Sequence, residues 1–182
     1  LFEDSRSANF EKSISDTSRK KRQGDLEGKD YYFLSEKDFK DKIKKEEYVE
    51  YATVFGNFYG TSKEEIKTKY NNSNLILELD WQGAYAVKEL FDDAKLIFLL
   101  PPSLDDLKQR LIKRNLDSSK EIESRLSEAK KEISKSEMYD YLVLNDDFHK
   151  AFEDLSQILF EGISPIDFNS RASKDLIKRL VE

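Results

Sequence analysis

At 182 residues the chain is long enough to bury a core of its own, and 38% hydrophobic with 12% aromatic residues exclude disorder of the whole. A net charge of −6 argues against a general nucleic-acid binder, whose domains are usually basic, while leaving room for an anionic small molecule where cations converge locally. The lack of cysteine excludes disulfides and thiolate metal sites, and the longest apolar run, Leu96 to Pro102, is too short to span a membrane.

In chain order, the stretch from Lys12 to Tyr59 reads as a small β-rich insertion. It holds short strands at Tyr31-Tyr32-Phe33 and at 48–55, a glycine-bearing turn at 24–28, and one short helix. Ser35 with Asp38 three residues on is a capping-box pattern opening that helix, and Ser62 with Glu65 marks a second start. Two nearly continuous apolar runs, 75–79 and 96–100, read as buried parallel strands. Between them Ala84, Val87 and Phe91 recur at helical spacing, so strand, helix and strand imply a right-handed crossover and an α/β core. A charged helix around 122–138, a strand at 141–144, a helix at 148–160 and an amphipathic terminal helix at 170–182 follow.

Four constellations carry chemistry. Ser15, Arg19 and Arg22 precede the glycine turn; planar guanidinium forks and a hydroxyl suit a phosphate, although a solvated basic stretch with Lys20 and Lys21 is the other reading. Glu50 lies among aromatics, where an unpaired carboxylate is costly, and the N1–H and 2-amino donors of guanine would satisfy it. Thr61 could then donate to O6 and Tyr59 reach a phosphate; an ordinary hairpin with core aromatics is the alternative. Glu78 and Asp80 stand at the C-terminal end of a predicted central strand, where open α/β sheets bind ligands and carboxylates hold Mg²⁺, or where Asp80 simply starts a helix. Arg110, Arg114 and Arg125 flank a polar bridge at 115–120, either as a clamp on a transferring phosphoryl group or as surface helix arginines. His149, the one histidine, has no partner at catalytic spacing and is assigned to the surface.

Taken together, in this order and spacing, these pieces resemble guanylate kinase. The matching strings are Ser15-x3-Arg19-x2-Arg22, Gly28-Lys29-Asp30-Tyr31-Tyr32-Phe33, Gly56-Asn57-Phe58-Tyr59-Gly60-Thr61, Asp80-Trp81-Gln82-Gly83, Pro101-Pro102-Ser103 and Asn145-Asp146-Asp147, and the match runs from Leu1 to about Asp154. The resemblance implies an α/β fold of the P-loop NTPase type: one guanylate kinase-like domain over 1–182, with a parallel sheet flanked by helices. A β-rich GMP-binding insertion would occupy 14–69, core 70–110 and 129–182, and a helical lid 111–128. It implies ATP plus GMP giving ADP plus GDP with Mg²⁺, in a cytoplasmic monomer or homodimer with no nucleic-acid or membrane partner.

By the same resemblance, Ser15, Arg19, Arg22, Tyr31 and Tyr59 match the ligands of the GMP phosphate. Glu50 and Thr61 match the guanine readers, assisted by Asp80. Asp80, acting on the metal through water, and Glu78 match the strand-end carboxylate pair, whose first position is often Asp. Arg114 and Arg125 match the clamping lid arginines, with Arg110 as helper; Arg110, Arg114 and Asn145 fall on the ATP side. The family's glycine-rich G-x-x-x-x-G-K-S/T loop has no counterpart here, and Leu1-Phe2 aligns with the end of the helix that follows it. A non-catalytic guanylate-kinase-like protein-binding module is the alternative; the retained nucleotide set, including both lid arginines and Glu50, argues for the enzyme.

Overall fold

The structure, a computed structural model, describes residues 4–70, 73–114, 118–167 and 170–181. It divides into two compact units, Phe2–Asp93 and Ala94–Glu182.

The first unit begins with a short 3-10 turn, Ser5–Asn9, and β1 (Phe10–Lys12). β2 (Asp16–Thr17), β3 (Tyr32–Phe33), β4 (Tyr48–Val54) and β5 (Asn57–Ser62) form a four-stranded sheet in the order β3-β2-β5-β4. β4 and β5 are a hairpin closed by Phe55 and Gly56, both at positive φ, which matches the two-residue turn that follows strand twist. α1 (Glu36–Lys44) starts at Ser35, whose hydroxyl accepts the Asp38 N–H. Acidic residues in its first turn and lysines in its last suit the helix dipole. The helix buries Phe39, which stacks on Tyr48 and Phe58 at ring distances of 4.6 and 5.3 Å and so anchors α1 to the sheet.

α2 (Lys63–Lys69) is capped by Ser62, as its sequence predicts. The Glu65 carboxylate does not turn back on that cap: it accepts the Ile14 N–H at 2.7 Å and pairs with Lys69. β6 (Asn74–Ile76) runs parallel to β1, and α3 (Trp81–Leu90) follows, with Gly83, Ala84 and Val87 as its buried face. The expected strand at 75–79 is therefore shorter and earlier. Its partner β1 ends at Lys12, the last bond runs from Ser13 N–H to the Ile76 carbonyl, and Glu65 then draws Ile14 away, so 77–80 leave the ladder.

In the second unit β7 (Ile97–Leu100) pairs in parallel with β8 (Tyr141–Leu144). The helices are α4 (Leu104–Arg114), α5 (Ser119–Ser134), α6 (Phe148–Glu161) and α7 (Arg171–Val181). α5 opens with a complete capping box, Ser118 and Glu121 each bonding the other's backbone N–H, and a 3-10 turn at Ser136–Met138 ends what the sequence presents as one helix. Phe98, Leu100, Ile133, Leu142 and Leu180 make the core, with Tyr139 edge-on to Phe98 at 4.9 Å. Among the described residues no helix is long and apolar enough to cross a membrane.

Candidate functional site

Two clusters on the β2–β5–β4 sheet gather most of the residues singled out in the first unit. Glu50 on β4 is directly opposite Thr61 on β5, and Tyr59, two residues before Thr61, shares its face of the strand. Glu50 is 6% exposed. Its Oε1 accepts both the Thr61 N–H at 2.8 Å and the Thr61 hydroxyl at 2.6 Å. Its Oε2 accepts no hydrogen bond among the described residues and lies against Gly83 in the first turn of α3. Burial pushes the Glu50 carboxyl above the usual carboxylate range, the two Thr61 bonds oppose this, and the nearby Asp80 charge adds to the rise. A carboxylate with one oxygen satisfied and the other open, in a setting that disfavours bare charge, has the capacity to accept from a ligand's N–H donors.

The second cluster centres on Arg19. Its guanidinium, with the side chain 12% exposed, donates to Asp25 at 2.9 Å and to the Lys20 carbonyl, and lies 5.3 Å from the Tyr31 ring and 5.6 Å from the Phe33 ring. Burial alone would lower its pKa, but Asp25, with Tyr59 and Tyr31 adding to its effect, more than offsets this, so the guanidinium is a fixed cation. Asp25 also accepts the Arg22 N–H at 2.7 Å and thereby ties both arginines to one turn. That bond first, and the Arg19 bond second, hold the Asp25 carboxyl below its ordinary range. Tyr31 and Tyr59 meet edge to face at 5.8 Å, and the half-buried Ser15 accepts the Tyr32 N–H on its carbonyl. Arg19, Tyr31 and Tyr59 are thus in contact around one cation, with Ser15 and Arg22 at its borders. Asp25 escaped the sequence reading; its one local signal is a carboxylate beside Gly24, six residues after Arg19.

Glu78 and Asp80 follow β6. Glu78 is exposed and pairs with Lys12 at 2.9 Å. Asp80 caps α3, its Oδ1 accepting the Gly83 N–H and its Oδ2 the Gln82 amide, so the helix-starting role is realised in full.

In the second unit, Arg110, Arg114 and Asn145 line a cavity of about 220 Å³ floored by Phe98, Leu111 and Ile133. The Arg110 guanidinium donates to the Asp146 carbonyl at 3.1 Å, joining α4 to the loop after β8. Arg125 is half-buried on α5 and is not among the described residues lining this cavity. The expected lid at 111–128 includes 115–117, which lie outside the described residues, as does the Leu1-Phe2 match. His149 is exposed, edge-on to Phe148.

Parallel strands alternating with helices define an α/β protein, and its first sheet carries both a half-satisfied carboxylate and a held arginine. A family model described as guanylate kinase matches residues 1–162. The guanylate kinase of Wolbachia sp. subsp. Brugia malayi (strain TRS) is 46% identical over 156 residues, 85% of this chain and 80% of that protein. That of Francisella tularensis subsp. tularensis (strain FSC 198) is 43% identical over 157 residues, 85% of this chain and 83% of that protein. The crystal structure of guanylate kinase from Anaplasma phagocytophilum is 32% identical and superposes with a TM-score of 0.71 over 96% of this chain and 87% of that one. The chain belongs to the guanylate kinase family, and its fold is that family's P-loop NTPase type.

Proposed function

We propose that this chain transfers the γ-phosphoryl group of ATP to GMP, giving ADP and GDP. The observation that carries the reading is Glu50: a buried carboxylate with Oε1 satisfied by Thr61 and Oε2 open. Guanine offers N1–H and a 2-amino group side by side, whereas adenine presents an acceptor at N1. The Thr61 hydroxyl gives its one hydrogen to Glu50 Oε1, so in this arrangement it offers the ligand acceptor capacity and not the donation to O6 expected from the sequence. Arg19 and Arg22, with Ser15, Tyr31 and Tyr59, take the GMP phosphate in this account.

Arg110, Arg114 and Asn145 serve ATP, and Arg114 and Arg125 neutralise charge as it develops on the transferring group. Little covalent work falls to the protein in phosphoryl transfer; positioning and charge supply the rate. Residues 14–69 act as the GMP-binding insertion and 111–128 as the lid.

The donor set also suits Mg²⁺ carried in with ATP. Glu78 and Asp80 are two carboxylates in the four residues after β6, and hard oxygen donors of this kind suit Mg²⁺. Asp80, both of whose oxygens already accept hydrogen bonds, would reach it through water. When bound, Mg²⁺ supplies charge neutralisation at the β- and γ-phosphates. A coupled ADP-release assay with GMP or AMP as acceptor tests the reading: release with GMP and little with AMP is expected, and equal use of AMP would overturn it.

A further inference from the structure

Gly83 is a glycine that neither backbone conformation nor helix formation calls for. It is not among the described glycines at positive φ, and it stands in the first turn of α3, where alanine is the better helix former. What it permits is a close approach. A β-carbon at this position would lie 2.7 Å from Oε2 of Glu50, 3.2 Å from its carboxyl carbon and 3.4 Å from the Leu79 β-carbon. The first distance is far inside van der Waals contact. The atom it would displace is the same carboxylate oxygen that Thr61 leaves open.

We propose that Gly83 is a positioning residue for base specificity: its missing side chain makes the room in which Oε2 of Glu50 is aimed at the guanine edge. The inference rests on Glu50 as the guanine reader and adds what holds it there. Oε1 is tethered twice to Thr61, so a methyl at 83 turns the carboxylate about that tether; in the proposal Oε2 is the acceptor of the 2-amino group, and that contact is the first lost.

The test measures binding of GMP and of inosine monophosphate, which keeps N1–H and lacks the 2-amino group, by calorimetry, with the melting temperature alongside. Gly83→Ala is expected to weaken GMP binding about tenfold, as loss of one hydrogen bond to a charged group implies, while inosine monophosphate changes much less and the melting temperature holds or rises. Shortening the carboxylate restores the room, so Gly83→Ala with Glu50→Asp should recover part of the preference for GMP. If Gly83→Ala does not fold, recovery of both fold and GMP preference in the double variant supports the proposal, and failure to recover overturns it. GMP binding within about twofold of the parent, or equal loss of both ligands without rescue, also overturns it. Glu50→Gln separates the layers: no effect on GMP would refute the guanine reading itself, whereas weakened GMP with an indifferent Gly83→Ala would refute only the positioning role.

Discussion

A carboxylate that is 6% exposed and accepts both of its hydrogen bonds on one oxygen is in an expensive state unless a ligand completes it. Glu50→Gln is therefore expected to cost about 1.5–3 kcal/mol of GMP affinity, the range for a hydrogen bond to a charged group. Calorimetry checks this directly, and unchanged affinity would remove Glu50 from the site. Arg19 is the residue proposed to take the phosphate. Asp25 and two aromatic rings fix its guanidinium in advance, so little side-chain freedom is lost on binding. Arg19→Ala should raise the GMP dissociation constant with turnover of the bound complex affected less. Asp25→Asn should follow in the same direction more weakly, because it loosens the arginine without removing it.

At the level of elements, α4 and α5 carry the arginines assigned to clamping the transferring phosphoryl group. Arg114→Ala and Arg125→Ala are expected to depress turnover far more than GMP affinity, since their contacts strengthen as charge develops in the transition state. Steady-state kinetics decide it; a raised KM for GMP at full turnover would place either residue elsewhere. The start of α5 allows a prediction about stability alone. Ser118 and Glu121 form a reciprocal capping box on an exposed surface, so Ser118→Ala should cost about 1 kcal/mol, read as a lowered melting temperature, with GMP binding unchanged. The caps at Ser35, Ser62 and Ser118 also show what local chemistry makes legible. A hydroxyl reaching a backbone N–H three residues on needs no distant partner, and two of these three starts were read from sequence. The glutamate of the motif is less dependable: Glu65 has the spacing of a box but gives its carboxylate to the Ile14 N–H, 51 residues away in the chain.

Stability of the whole molecule should carry the mark of the site. The folded-state pKa of Glu50 lies above the ordinary glutamate value, chiefly through burial, so the folded protein holds that proton more tightly than the unfolded chain. The associated stability is present below the ordinary glutamate range and is lost as pH rises through the raised value. Above that window the ionised carboxylate destabilises the fold, and Glu50→Gln should melt higher than the parent, the difference fading as pH falls into the ordinary glutamate range. Melting curves across acidic to neutral pH test this; a Glu50→Gln protein that melts lower at neutral pH would show that the Thr61 bonds outweigh burial.

What the sequence alone determined is local. Apolar runs at 96–100 and 141–144, helical spacing at Ala84 and Val87, and the hydroxyl caps at Ser35 and Ser62 are each set by residues a few positions apart. The tertiary structure decided the rest: that three-residue β1 pairs with β6 and shortens the strand expected at 75–79, that Asp25 holds Arg19, and that Oε2 of Glu50 occupies the space a side chain at position 83 would need. The reason is physical. Hydrogen bonds and steric contacts depend on distances in space, and the Glu50 site joins three segments whose separation along the chain carries no periodic signal.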